Sequence, residues 1–297
     1  MNHQSLWRRI WNGRWGYAFI GPAVGLLMLV HLYPIARVIV LSMQRYHVVE
    51  GRGEFAAWSN YETLFADDLF FLALKNTFAY TLMVVPGALS LALLLAFLVQ
   101  PLRPRTQTFF KAAFYLPGVV SSVVLALVWA WLYNADFGLL NYLLSLVGVD
   151  PVLWLGDRRV ALPAIALMTV VSGLGVPLLL LLASMGAIPD TYYEAARIDG
   201  AGPVRQFFAV TLPLLKPTLL YLLIVMTIGS FQVFETVYLM TNGGPSYATT
   251  TLVFLIYESA FRYYDFGLAS AQAVVLFMLV AAMAVVQFTW LGGDVEY

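Results

Sequence analysis

Cysteine is absent from the 297-residue chain, which excludes a disulfide framework, a thiolate nucleophile and any cysteine-ligated metal. Only three histidines occur, His3, His31 and His47, and they stand too far apart for a short-spaced metal motif. None of the three lysines follows a glycine-rich phosphate loop, so ATP binding of that kind is not expected. Charge is scarce as well. Charged residues make up 11% of the chain against about 25% in ordinary soluble domains, while hydrophobic residues make up 61%. So few polar groups cannot cover a soluble globule of this size. The reading that remains is an all-α, polytopic membrane protein. Six spans of about 20 to 25 residues fit within the chain and leave too little for a large catalytic domain. Basic and acidic residues balance at sixteen each, and the resulting net charge of zero gives no sign of a nucleic-acid partner.

What is present is a series of apolar runs. Tyr17 to Leu41 follows Arg8, Arg9 and Arg14, lacks the small-residue cleavage pattern of a signal peptide and reads as a retained span. A polar stretch from Ser42 to Asp68 separates it from the second run, Phe70 to Val99. Further spans are expected at Phe109 to Tyr133, Ala161 to Met185, Pro217 to Met240 and Gly267 to Trp290. Residues 1–16 are then a short N-terminal segment, 17–290 the membrane domain and 291–297 a short tail. The stretch from Asn134 to Val160 reads as an external loop in which Trp154 favours the headgroup layer, and Trp129, Trp131 and Tyr133 read as interfacial anchors.

Six spans place both termini on one side. With that side cytoplasmic, nine of the basic residues fall inside and seven outside, while five acidic residues fall inside and eleven outside. The distribution favours cytoplasmic termini. Pro86-Gly87, Pro117-Gly118, Gly173, Gly175 and Pro177 interrupt the runs, either as ordinary membrane-helix residues or as hinges and close helix contacts. Few ionisable residues sit near the membrane midplane, Glu235 being the main exception, so no chain of carboxylates for ion coupling is apparent.

The polar insert from Pro189 to Lys216 carries the most information. Asp190 is expected to cap a helix beginning at Thr191, and Gly200 with Gly202-Pro203 to stop it. A second short helix is expected over Val204 to Val210, with Phe207 and Phe208 buried and Arg205 outward, broken by Thr211-Leu212-Pro213. Such a helix pair is either an interfacial amphipathic loop or a rigid lever for a cytoplasmic partner, and the pattern alone leaves both open.

Glu194-Ala195-Ala196-x-x-x-Gly200, followed after nine residues by Val210-x-Leu212-Pro213, resembles the coupling-loop signature of permease subunits in bacterial binding-protein-dependent ABC importers. Val210 stands where that family usually has Ile. Shorter matches follow in the family's order, among them Tyr33-Pro34, Lys75-Asn76-Thr77, Tyr115-Leu116-Pro117, Asp199-Gly200-Ala201, Thr241-Asn242-Gly243-Gly244-Pro245 and Phe266-Gly267-Leu268-Ala269. They resemble the sugar and glycerol-phosphate branch and extend the likeness over nearly the whole chain.

The resemblance implies a type I ABC importer permease with a cytoplasmic coupling helix, in the bacterial inner membrane. It implies a non-catalytic subunit forming half of a carbohydrate pathway. Its partners would be a second homologous permease, two ATPase subunits that carry ATP and Mg, an extracytoplasmic solute-binding protein, the carbohydrate itself and membrane lipid. No cofactor is expected in this chain. The coupling residues would be Glu194, Ala195, Ala196, Asp199, Gly200, Leu212 and Pro213.

Phe231, Gln232, Phe234 and Glu235 mix aromatic faces with polar groups, which suits stacking on and hydrogen-bonding to a polyol, and Asn76 and Asn134 are further candidates. The same side chains are equally at home packing against neighbouring helices and satisfying one another. The alternatives to an importer are an ion-coupled secondary sugar carrier and a non-transporting membrane scaffold.

Overall fold

The computed structural model describes residues 14–47 and 52–291. His3, Arg8, Arg9 and Glu50, most of the expected N-terminal segment and the tail beyond Leu291 lie outside the described residues. The helices are α1 (Arg14–Leu27), α2 (Tyr33–Ser42), α3 (Ser59–Ala66), α4 (Asp68–Val99), α5 (Pro104–Val119), α6 (Ser122–Leu132), α7 (Leu139–Ser145), α8 (Ala161–Ser172) and α9 (Gly175–Gly186). They continue with α10 (Asp190–Ile198), α11 (Pro203–Gln206), α12 (Leu212–Leu214), α13 (Lys216–Phe231), α14 (Glu235–Met240), α15 (Leu252–Tyr257) and α16 (Phe266–Leu291). Three helical stretches are long and apolar enough to cross a membrane, Trp15–Ser42, Asp68–Val99 and Phe266–Trp290. The number rises to six if each of three bent pairs is one span.

The bends correct the expectation of continuous third, fourth and fifth spans. Helices α5 and α6 meet at 98°, where Val120 and Ser121 are both extended just after Pro117-Gly118. Helices α8 and α9 meet at 44° around Gly173 and Leu174. Helix α13 stops at Phe231, and the segment Gln232 to Phe234 separates it from α14.

The chain forms two compact units. One comprises residues 14–47, 52–64 and 259–274 of the described chain. Here the otherwise all-α fold carries one short antiparallel strand pair that the sequence did not announce, β1 (Gln44–His47) and β2 (Arg52–Phe55). The register sets Arg45 opposite Glu54, an opposite-charge pair that favours this pairing in an otherwise polar stretch. Asn60 closes the hairpin base, its Nδ2 donating to the carbonyls of Ser42 at 2.8 Å and Gln44 at 2.9 Å. Asp265 caps the start of α16 by accepting from the amide of Leu268 at 2.9 Å. Glycine is required at 267, since a Cβ there would lie 2.3 Å from the Gln44 carbonyl oxygen.

The second unit comprises residues 65–258 and 275–291 of the described chain, and α4 runs through its core. Asp67 caps α4 through the Leu69 amide at 2.9 Å. Small residues Ala92 and Ala96 on α4 pack with Leu174, Leu178, Leu181, Leu215 and Leu222 in one apolar cluster. Close approach is also what Gly175 serves, since a Cβ there would sit 2.6 Å from the Tyr115 Cα, a backbone atom that cannot swing aside. A polar face of α4 ties the rest together. Asn76 Nδ2 donates to the carbonyls of Tyr247 and Thr250, both at 3.0 Å, and the Leu252 amide donates to Thr77 Oγ1 at 2.9 Å.

Of the expected interfacial anchors, Trp131 is exposed at 54%. Tyr133 is instead a core residue, 2% exposed, because its hydroxyl reaches the Ala164 carbonyl at 2.8 Å and satisfies its polar end inside the bundle. Trp129 donates from Nε1 to Ser172 Oγ at 3.1 Å.

Candidate functional site

Two regions of the second unit carry the sequence-derived candidates. The first is the insert between α9 and α13. Pro189, extended at φ −60° and ψ 135°, holds the position before α10, and the Tyr192 amide bonds back to its carbonyl at 3.2 Å. Asp190 is therefore the first residue of the helix and makes no side-chain cap, contrary to expectation. Its carboxylate still lies in the first turn, where negative charge offsets the helix dipole, and Arg197 does the same in the last turn.

The far end of α10 is closed by its own backbone. The Ala201 amide donates to the Ala196 carbonyl at 2.9 Å and the Gly200 amide to the Arg197 carbonyl at 3.0 Å, with Gly200 at φ +74°. This is a Schellman closure, and it requires a left-handed residue at position 200. No side chain of α10 is buried, and Ile198 is 86% exposed. Glu194, Ala195, Asp199 and Gly200 share that exposure, while Ala196 is half-buried. Tyr193 hydroxyl and Thr211 Oγ1 lie 3.0 Å apart, and Gln206 Nε2 donates to the Ala201 carbonyl at 2.7 Å, so the turn is held from within.

Beyond it the helix runs further than expected. Helix α11 passes through a π turn, Phe207–Thr211, into α12, and the bend to α13 falls at the buried Leu215, with an angle of 68°. Thr211-Leu212-Pro213 does not break it. The Leu212 amide bonds five residues back, to Phe207, so the ladder is already shifted where Pro213 lacks a donor. Phe207 packs edge-on against Phe97 with ring centroids 5.0 Å apart, but Phe208 is 62% exposed rather than buried. Leu212 is half-buried and Pro213 exposed.

The second region is a cavity of about 740 Å³ lined by α4, α8, α9, α13 and the interruption before α14. Three of the six pathway candidates, Gln232, Phe234 and Glu235, line it, whereas Phe231, Asn76 and Asn134 do not. Phe231 is fully buried against Phe78, ring centroids 5.1 Å apart, and Asn76 is occupied with the two loop carbonyls. Phe234 also contacts the ring of Tyr257 at 5.0 Å. Asn134 lies elsewhere, its Oδ1 accepting from the Asp136 and Phe137 amides. Glu235 accepts a hydrogen bond from Ser122 Oγ at 2.5 Å rather than pairing with Gln232.

Sequence reasoning missed Tyr80, Thr169, Tyr221 and Ser230, which also line the cavity. Each is a lone polar or amphipathic side chain in an apolar run, and that was the available signal. Tyr80 hydroxyl donates to Thr169 Oγ1 at 2.8 Å, and Ser230 Oγ to Thr81 Oγ1 at 3.0 Å. Among the described residues no group of three or more His, Asp or Glu side chains converges.

Residues 76–293 match the family model described as binding-protein-dependent transport system inner membrane component. Among similar proteins is the sulfoquinovosyl glycerol transport system permease protein SmoG of Agrobacterium fabrum, 36% identical over 88% of this chain and 84% of that protein. The trehalose/maltose transport system permease protein MalF of Thermococcus litoralis is 34% identical over 91% of each chain. The sn-glycerol-3-phosphate transport system permease protein UgpA of Escherichia coli is 31% identical over 98% of each chain. In fold, the chain matches a subunit of a bacterial alginate ABC transporter in complex with an alginate pentasaccharide-bound periplasmic protein. The TM-score is 0.83 over 96% of each chain, with 21% identity.

Proposed function

We propose, from the premise that this chain belongs to the binding-protein-dependent transport system inner membrane component family, that it forms half of a carbohydrate pathway and takes its drive through the insert at residues 189–213. It is the permease component of an ATP-driven import system of the carbohydrate and sugar-phosphate branch, works with a separate ATPase, and is itself non-catalytic.

In the finer reading, residues 17–290 act as one six-span domain of type I importer architecture, with both termini cytoplasmic. A second homologous permease completes the pathway, two ATPase subunits attach below, and a solute-binding protein delivers the sugar from outside. The observation that carries this reading is helix α10, closed at its C-terminal end by its own backbone yet bare along the face that holds Glu194, Ala195 and Ile198. An exposed apolar side chain on a rigid helix suits insertion into a partner's cleft. Glu194 would supply polar contacts there, Ala195 and Ala196 a close approach, and Asp199 with Gly200 the turn. Leu212 and Pro213 continue the lever toward the bundle. ATP-driven closure of the ATPase pair would draw two such helices together and open the pathway outward, and hydrolysis would reset it.

The test is reconstitution of the chain with the second permease, the two ATPase subunits and the binding protein in proteoliposomes. Sugar uptake should require ATP and survive an ionophore that collapses ion gradients. Uptake without ATP that disappears with the gradient would make the chain a secondary carrier. ATPase recruitment without any uptake would leave only a scaffold.

A further inference from the structure

We propose that the cavity at α4, α8, α9 and α13 selects uncharged glycosides and rejects sugars that carry a phosphate or sulfonate, with Glu235 setting that preference. The proposal rests on the carbohydrate-uptake reading and narrows its substrate class. By their names, the relatives described above divide between anionic and neutral cargo, so family membership leaves the charge of the ligand open.

The cavity itself has one sign. Among the described residues, no Lys, Arg or His lines it, and Glu235 is its single carboxylate. A phosphate or sulfonate entering it would lose water without gaining a cation and would face a like charge. The first turn of α14 offers no compensation, because Glu235 itself occupies that turn and offsets the exposed amides. For a neutral glycoside the same walls are well suited. The exposed Tyr221 ring suits the apolar face of a sugar and the exposed Gln232 amide supplies a donor and an acceptor, while the Tyr80, Thr169 and Ser230 hydroxyls of the same wall are satisfied within the protein and add no charge. At about 740 Å³ the space lies within the ordinary range for small-molecule sites, roughly 300 to 1,000 Å³. Glu235 is also tied to Ser122, so its carboxylate is held in place at the wall.

Direct binding to the membrane complex separates this selectivity from that of the binding protein. The permease pair with its ATPase is placed in nanodiscs without binding protein, and saturation-transfer NMR is recorded with trehalose, trehalose 6-phosphate, lactose and lactose 6-phosphate. Each neutral sugar is expected to bind at a concentration lower by about tenfold or more than its phosphate. Glu235→Gln, which removes the charge and keeps an acceptor for Ser122, narrows that gap, whereas Ser122→Ala, which removes the hydrogen bond and keeps the charge, leaves it in place. Equal or tighter binding of the phosphates overturns the proposal, as does a gap that Glu235→Gln does not change. Binding of neither class also overturns it, and ATP-dependent sugar uptake by the same complex with its binding protein then shows whether the importer reading stands apart from it.

Discussion

Helix α10 holds its apolar Ile198 in the open and closes its C-terminal end with its own backbone, while the cavity around Gly229 to Thr236 gathers polar side chains inside the bundle beside an interruption of the backbone. The contrast follows from what each must meet. A protein surface can be recognised by a short helix provided that helix does not depend on the partner for its own hydrogen bonds. A passing polyol needs polar groups in a place where lipid would forbid them, and broken helices lined on a cavity supply that. In the proposed function the chain's regularity thus serves the partner and its irregularity the cargo.

The sharpest way to break the comparison is at Gly200. Its φ of +74° is what closes α10, and a Cβ there would meet nothing within 4 Å, so the constraint is conformational rather than steric. Gly200→Asp is expected to cut uptake by about tenfold or more while ATP hydrolysis continues and membrane insertion is unchanged. Uptake and ATPase rates in proteoliposomes measure this, and unchanged uptake would sink the coupling role. Gly200→Asn, better suited to the left-handed region, should retain more transport than Gly200→Asp.

A second variant tests whether exposure alone makes the surface. Ile198→Asp should weaken association with the ATPase by about 2 kcal/mol, roughly thirtyfold, if Ile198 is an anchor. Its effect on the stability of the permease should stay within about 0.5 kcal/mol, since the side chain is 86% exposed. Pull-down titration against thermal unfolding separates the two, and equal losses in both would remove the distinction between partner face and core.

On the cavity side, Gly175→Ala pushes a methyl group against the Tyr115 backbone, and overpacking of this kind costs about 1–3 kcal/mol. A lowered unfolding temperature is expected with ATPase binding retained. The smallest effect is expected from Tyr133→Phe, which leaves the ring in place and removes one hydrogen bond to the Ala164 carbonyl, a loss of about 1 kcal/mol. An unfolding midpoint identical to the parent's would show that the Ala164 carbonyl finds another donor.

The same contrast explains what could be read from the sequence. The apolar runs reveal where helices cross, because the bilayer imposes a length and a composition that twenty residues make plain. Gly200 and Pro203 likewise mark the end of α10 and the start of α11 through conformational preferences that act locally. The bends are marked only in part. Pro117-Gly118 and Gly173, Gly175 and Pro177 stand at two of them, yet the same residues suit an ordinary membrane helix, and Pro86-Gly87 inside the unbroken α4 shows that such a pair need not bend the chain; close contacts between distant helices, such as Gly175 against Tyr115, are invisible in the sequence. For the cavity, Gln232, Phe234 and Glu235 were visible as a cluster in one run, whereas Tyr80, Thr169 and Tyr221 come from three separate runs that only the folded bundle brings together. Tyr133 was misread because an aromatic ring with a polar tip suits the headgroup layer and a buried carbonyl equally well, and sequence cannot see the Ala164 carbonyl.

Helix α13 deserves to be considered as a mechanical part. It starts one residue after the buried bend at Leu215 and ends one residue before the interruption at Gln232, and its sixteen residues make a strut about 24 Å long. One end meets the insert at the 68° bend, and the other leads directly to Gln232 and Glu235 at the cavity wall. In the coupling role proposed above, this strut would serve as a push rod: a tilt delivered at Leu215 would arrive at Gln232 as a displacement, with no intervening segment of chain to absorb it.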